Sequence, residues 1–188
     1  LPIAVGEATK CISFIQNKIK RYSFTVKWGE TTNTDDLEGT VLEKSNVRPT
    51  KTQVLDILNS FKGKILQEPP AFSAIKIDGK RSYKLARNNI IVKHRPREVE
   101  IHKLSLKKIV NSDCAEFEVL CGKGTYIRSL AKDIAEKLNT KAHVIALRRH
   151  SVGNFSEKDT IFIDFFKEII HSPAILKKML PIEAVLDD

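Results

Sequence analysis

The stretch CGKGTYIRSLAKDIAEKL at 121–138 constrains this chain more than any other. Just ahead of it, residues 115–121 alternate, with Phe117, Val119 and Cys121 on one side, which is the two-residue period of a half-buried strand. Just inside it, Ile127, Leu130, Ala131, Ile134 and Leu138 recur at helical spacing and form one apolar face. Gly122 and Gly124 lie between, and Tyr126 and Arg128 stand where the helix begins. A strand that turns this quickly into an amphipathic helix needs a sheet layer against which both can be buried.

The rest of the chain supplies that layer. Tyr22, Phe24, Val26 and Trp28 alternate with Ser23, Thr25 and Lys27, which predicts a strand ended by Gly29, with Trp28 in the core. Residues 31–39 read as a polar loop, Asp35 and Asp36 included, and 40–43 as a short strand. Thr50 and Gln53 form a capping-box signature for a helix whose stripe is Val54, Leu55, Leu58 and Phe61, with Gly63 as terminator. Residues 64–97 show little periodicity. Within them Pro69-Pro70 forces an extended path, Asp78-Gly79 turns a hairpin over 75–80, and 82–87 holds a helical turn. Strands return at 99–106 and 115–121. Asn139 ends the 127–138 helix, an apolar run covers 143–147, and a separate strand covers 151–155. Helices are predicted around 163–170 and after Ser172-Pro173. Strands and helices mix without regular βαβ alternation, so the expected class is α+β.

At 188 residues the chain suits one substantial domain, burying roughly 70% of its unfolded surface. Three cysteines without C-x-x-C spacing support neither a disulfide framework nor a zinc site, and point to a reducing, cytoplasmic setting. No apolar run is long enough to cross a bilayer. The formal charge of +9 is unevenly placed: residues 76–108 hold eleven Lys/Arg against three acids, and residues 121–149 seven against two. Two basic tracts on a slightly acidic body suit a polyanion partner. The 122–124 turn before a helix start offers free N–H groups to an anion, though its spacing is neither that of a P-loop nor a dinucleotide fingerprint.

The 121–130 stretch resembles the third signature motif of the pseudouridine synthases that modify the T-loop uridine of transfer RNA. Other matches follow in order along the chain. Residues 1–10 are similar to the tail of that family's catalytic motif. Lys20, Arg21, Tyr22 and Gly29 are similar to its second motif, and Thr32, Thr34, Asp36 and Gly39 to the loop after it. Gln67, Pro69, Pro70, Ser73, Ala74 and Lys76, with Tyr83, Ala86 and Arg87, match the segment used to grip RNA. Residues 142–149 match as well. The Tyr83 region resembles the bacterial stand-alone type more than guide-RNA-dependent relatives.

The resemblance implies a pseudouridine synthase fold, a mixed, mostly antiparallel sheet flanked by helices, with a catalytic domain over 1–180 and a basic RNA-gripping insertion at about 64–97. Residues 181–188 would lead into a carboxy-terminal RNA-binding domain. It implies an aspartate nucleophile in a motif just before Leu1, so the chain as given is expected to be inactive. Arg128 would form the ion pair with that aspartate. Tyr22 would stack on the flipped uracil, although alternation alone places it in the core. Tyr126 would wall the pocket and Leu147 would touch the base. Lys76, Lys80, Arg81, Lys84, Arg87, Lys123, Arg148 and Arg149 would bind RNA. No metal or other cofactor is implied, and a monomer acting on transfer RNA is expected. A different class of reading is a transfer-RNA-binding or folding helper without chemistry; a DNA-binding domain lacks any helix-turn-helix or finger pattern.

Overall fold

Strand β1, Lys20–Trp28, sits at the centre of the molecule. Its even-numbered residues Phe24, Val26 and Trp28 are buried and its odd-numbered ones face the other way, as the alternation requires. A computed structural model describes residues 2–88 and 90–186. Leu1, Asn89, Asp187 and Asp188 lie outside the described residues, as do the first residue of the 1–10 match and the end of the 181–188 lead-in.

The strands that follow are β2 (Glu30–Thr32), β3 (Val41–Lys44), β4 (Gly63–Gln67), β5 (Lys76–Ile77), β6 (Lys80–Arg81), β7 (Arg97–Asn111), β8 (Cys114–Cys121), β9 (Ala142–Val152) and β10 (Phe155–Ser156). The helices are α1 (Ile12–Asn17), α2 (Lys51–Leu58), α3 (Ser82–Arg87), α4 (Ile127–Lys137), α5 (Ile163–Ile169) and α6 (Glu183–Leu186). Six strands form one sheet in the order β10-β9-β1-β8-β7-β4, antiparallel at every pairing. The β2–β3 and β5–β6 pairs stand apart as small ribbons. This is the expected α+β fold.

One face of the large sheet carries the core. Phe117 stacks on Phe24 with ring centroids 5.3 Å apart and meets Trp28 edge-on at 6.2 Å. Against them pack Val54, Leu58 and Phe61 from α2 and its extension, and Ile127, Leu130, Ala131, Ile134 and Ala135 from α4. Each fully buried ring or branched chain contributes about 1.5–3 kcal/mol, so this face accounts for most of the stabilisation. The opposite face is polar, with Lys108 3.3 Å from Glu116 and Lys107 3.8 Å from Glu118 across adjacent strands. An antiparallel sheet tolerates one solvated face in this way. Among the described residues no helix is long and apolar enough to cross a membrane, and no group of three or more His, Cys, Asp or Glu is placed to hold a metal. Cys11, Cys114 and Cys121 are free.

Four expectations need correction. Leu55 is exposed, because the buried line of α2 runs through Val54, Ile57, Leu58 and Phe61, and Leu55 lies about 100° away from Val54. Gly63 does not merely end a helix; its φ of 91° turns the chain into β4, an edge strand. The runs at 143–147 and 151–155 are not separate, since β9 continues through Arg148 and Arg149. Two bulges against β1, between Thr25 and Val26 and between Arg21 and Tyr22, break the alternation that would have revealed it. After Ser172, residues Pro173–Lys178 form a 3₁₀ helix instead of an α-helix.

Candidate active site at the mouth of α4

The junction after β8 is fixed before the helix begins. Gly122 donates its N–H to Glu100 O at 2.8 Å, which ties the end of β8 to β7. Gly124 takes φ 77°, a conformation that side chains disfavour, and Thr125 Oγ1 donates back to Gly122 O at 3.2 Å. Tyr126 then occupies the N-cap position of α4 without a side-chain cap. The missing cap is supplied from elsewhere. Gln67, at the end of β4, accepts the Tyr126 N–H on Oε1 at 2.8 Å, and Ser129 Oγ donates to Glu68 O at 2.7 Å. Gln67 is buried and its Nε2 has no hydrogen-bond partner of normal geometry among the described residues, although the side chain lies close enough to Asp133 to act on that carboxyl.

Arg128 lies in the first turn of α4 and is largely shielded, with 23% of its side chain exposed. Nη1 donates to Thr34 O at 2.8 Å and to Asp36 Oδ2 at 2.9 Å, and Nη2 donates to Phe72 O at 2.8 Å. Among the described residues three of the five guanidinium donors are thereby used, and two are left for another acceptor. Two separate segments, the 32–39 loop and the 67–73 segment, thus aim one side chain.

The Asp36 end of this pair is built with equal care. Asp36 Oδ1 accepts from Thr34 Oγ1 at 2.6 Å and from Glu38 N at 3.1 Å, while Thr32 Oγ1 donates to Asp36 O at 2.7 Å. Val144 N donates to Asp35 O, which pins the loop to β9. A Cβ on Gly39 would fall 2.3 Å from Thr34 Oγ1 and 2.9 Å from Thr34 N, so only glycine closes the loop. Asp36 was expected to be an ordinary loop residue; it is the carboxylate that Arg128 holds.

Tyr22 is half-buried on the same sheet face as Phe24, packed against the core cluster. Register places it two residues beyond the Lys20–Cys121 pairing, at the end of the sheet from which the 122–126 loop leaves. Arg149 stands opposite Tyr22 and Leu147 opposite Phe24, so all three share the face on which α4 packs. Burial pushes the Tyr22 phenol up, and the Arg149 guanidinium pulls it partly back. Leu147 is 50% exposed, an apolar side chain left open beside Tyr22. Arg148 points to the reverse face, opposite Ser23, where its Nε donates to Glu157 at 2.7 Å. The two adjacent arginines therefore serve different surfaces.

The basic segment begins at the same place. The 67–73 segment leads into the β5–β6 hairpin, which turns through Asp78 (φ 47°) and Gly79 (φ 80°) as a type I′ sequence does. Lys76 sits directly across from Arg81, and Lys80 across from Ile77. Arg87 caps the Tyr83 ring at 5.4 Å, and Lys84 is exposed beside it on α3. Lys123 lies apart, donating to Asn17 Oδ1 at 3.0 Å. Sequence reasoning missed Asp36, Gln67 and Ser129 as parts of the site. Only the T-x-T-x-D-x-x-G and Q-x-P-P motifs carried a signal for the first two, and nothing marked the third.

Comparisons agree with this architecture. Residues 1–127 match the model of the TruB family pseudouridylate synthase N-terminal domain, and residues 128–187 match the tRNA pseudouridylate synthase B C-terminal domain. The tRNA pseudouridine synthase B of Bradyrhizobium diazoefficiens is 48% identical over the whole of this chain and 56% of its own length. That of Agrobacterium fabrum is 50% identical over 84% of this chain and 50% of its own length. The chain thus spans about half the length of these relatives. A Cbf5-Nop10-Gar1 crystal structure shares the fold, with a TM-score of 0.69 at 23% identity over 98% of this chain and 48% of that one. By its sequence over two-thirds of its length and by its fold, the chain belongs to the TruB family of pseudouridylate synthases.

Proposed function

We propose that the protein, in its complete form, converts the T-loop uridine of transfer RNA to pseudouridine in the cytoplasm, acting as a monomer. The observation that carries this reading is Arg128, held by Thr34, Asp36 and Phe72 with two donors still open. A guanidinium fixed in this way can receive a second carboxylate side-on, keep it ionised and aim it. In the family's catalytic motif, whose tail residues 1–10 resemble, that carboxylate is the aspartate nucleophile. The reaction breaks the bond between ribose and uracil N1, and the turned base rejoins through C5. The C5 proton leaves and N1 gains one, so the product is an isomer.

Extruding a base from its stack costs a few kcal/mol, and stacking on one ring returns about 1–3 kcal/mol. Tyr22 provides that ring, Leu147 the adjacent apolar contact, and Tyr126 a wall at the helix mouth. The remainder comes from phosphate contacts. Like charges facing each other across a strand pair are destabilising, yet Lys76 faces Arg81 in the β5–β6 hairpin. A polyanion lying along the hairpin relieves that repulsion. Lys76, Lys80, Arg81, Lys84 and Arg87 would make this contact, with Arg149 and Lys123 nearer the base; Arg148 would reach only RNA that wraps the reverse face.

The test is tritium release from 5-tritiated T-loop RNA by the full-length protein, together with binding measured across a salt series. Release is expected, and Lys80→Gln with Arg81→Gln should weaken binding and reduce the salt slope by about two, one per lost phosphate contact. Tight binding without release would favour the non-catalytic helper. An unchanged salt slope would remove the hairpin from the interface.

A further inference from the structure

We infer that Gln67 is a positioning residue for Arg128, locking the mouth of α4 to the segment that leads into the basic hairpin so that this segment sets where the guanidinium stands. This rests on the proposed function for its catalytic meaning, and on geometry for the rest.

A helix start needs acceptors for its first N–H groups, and these ordinarily come from side chains close in sequence. Tyr126 cannot supply one from the N-cap, and Ser129 at the third helical position turns its hydroxyl to Glu68 O instead. Gln67, fifty-nine residues away, accepts the Tyr126 N–H in their place. With the Arg128–Phe72 bond, the 67–72 segment makes three hydrogen bonds to residues 126, 128 and 129. The same segment runs directly into the β5–β6 hairpin. Ser73, the next residue, is joined to it through His94: His94 Nε2 lies 3.3 Å from Ser73 Oγ and 2.9 Å from Ser82 Oγ, at the start of α3. The segment that leads into the hairpin is therefore tied to the first turn of α4 by a short set of polar contacts, buried at His94 and part-buried at Arg128.

The second half of the Gln67 amide makes the residue specific. Nε2 is buried without a partner of normal geometry among the described residues, and the side chain is near enough to Asp133 on α4 to act on its carboxyl. A buried unpaired donor is costly and is seldom kept where leucine would fill the space. Asp133 is itself flanked by Glu136 and Lys132 on α4 and by Asp35 from the 32–39 loop. An amide suits this position because one end accepts from the helix while the other offers a proton toward a carboxyl. Leucine provides neither. Glutamate provides the acceptor but sets two carboxyls face to face.

The experiment uses the full-length protein with Gln67→Leu and Gln67→Glu. Three quantities are read: single-turnover pseudouridine formation, RNA binding, and hydrogen exchange of the Tyr126 amide. Gln67→Leu is expected to speed Tyr126 exchange and to slow turnover by about 10- to 100-fold, the usual cost of a small misplacement, while RNA affinity stays within about twofold. Gln67→Glu keeps the volume and the acceptor, so it should retain Tyr126 protection and near wild-type turnover at pH 6. Its turnover should then fall toward pH 8.5 as the paired carboxyls lose their shared proton. Unchanged Tyr126 exchange in Gln67→Leu, or equal losses in both variants at every pH, would overturn the inference and leave Gln67 a packing residue. Should the wild-type protein form no pseudouridine, the functional reading fails alone, and the Tyr126 exchange comparison still decides whether Gln67 holds the helix.

Discussion

The two longest helices on the core face begin in opposite ways. At α2, Thr50 and Gln53 satisfy each other: the Thr50 hydroxyl accepts from Gln53 N at 3.3 Å, and Thr50 N donates to Gln53 Oε1 at 2.9 Å. At α4 the corresponding acceptor is Gln67, from the end of β4, and the third helical residue bonds outward to Glu68. The first start is complete within four residues of sequence. The second is tied to the end of β4 through Gln67 and Glu68, and its Arg128 side chain to the 32–39 loop and Phe72. A helix that stabilises itself can be positioned anywhere, whereas one whose first turn is held by distant segments has its geometry set by them. The proposed function sits at the second kind, where local autonomy has been given up for control over one guanidinium.

The sharpest test of that contrast is Arg128→Lys in the full-length protein. Lysine keeps the charge and loses the planar fork, so it cannot hold Asp36, Thr34 O, Phe72 O and a nucleophile together. Turnover should fall by about 100-fold or more, the loss typical of removing one preorganised donor set from a reacting carboxylate. RNA affinity should change little. A lysine variant with near wild-type turnover would mean that charge alone suffices, and the elaborate fixing of this side chain would need another explanation.

What could be read from the amino-acid order follows the same division. Thr50 with Gln53, Asp78 with Gly79, and the α4 stripe at Ile127, Leu130, Ala131 and Ile134 are short-range patterns, and each forms as expected. The alternation of β1 and β8 was equally plain. The long strand β9 was not, because bulges opposite Tyr22 and Val26 shift its side chains by one and disguise a single element as two. Gly63 was read as a stop because a glycine after a helix usually is one, yet the same positive φ equally well starts a strand. At the candidate site, Tyr22 and Arg128 were singled out by motif resemblance, since alternation alone buries the first and an arginine at the edge of a helical stripe ordinarily reaches to solvent. Asp36, Gln67 and Ser129 bond across 92, 59 and 61 residues, and no local rule reaches that far.

A smaller effect comes from the carboxyl beneath the site. Burial, reinforced by Glu136, pushes Asp133 up to about 6, with Lys132 and Gln67 opposing. An unfolded aspartate titrates near 3.9, so between about pH 4 and 6 the folded protein holds a proton that the unfolded chain has released. Stability therefore falls as pH rises through that window, and the whole cost is present above it. Asp133→Asn removes the ionisation and keeps one oxygen for the Gln67 amide. It should raise the melting temperature at pH 7.5 by an amount corresponding to about 1–2 kcal/mol, after allowance for solvent screening, and by almost nothing at pH 4. Asp56→Asn, on the exposed side of α2, should stay within about 0.5 kcal/mol at either pH. Equal gains for Asp133→Asn at both pH values would trace them to packing and not to charge.

The finest discrimination needs only two hydroxyl deletions. Thr50→Ala removes the α2 cap and should cost about 1 kcal/mol, within the range of such caps. Ser129→Ala leaves Glu68 O without its donor and should cost a similar amount, about 1 kcal/mol, since each change loses one side-chain hydrogen bond. Denaturant unfolding should barely separate the two variants. Turnover should, because the bond lost at Ser129 is one of the three that join the first turn of α4 to the 67–72 segment, while the bond lost at Thr50 joins α2 only to itself. Ser129→Ala is expected to slow pseudouridine formation a few-fold with Thr50→Ala at the wild-type rate. If two equally destabilised proteins turn over equally fast, a cap supplied from afar is no different from one built in place, and the distinction between the helices is one of sequence distance alone.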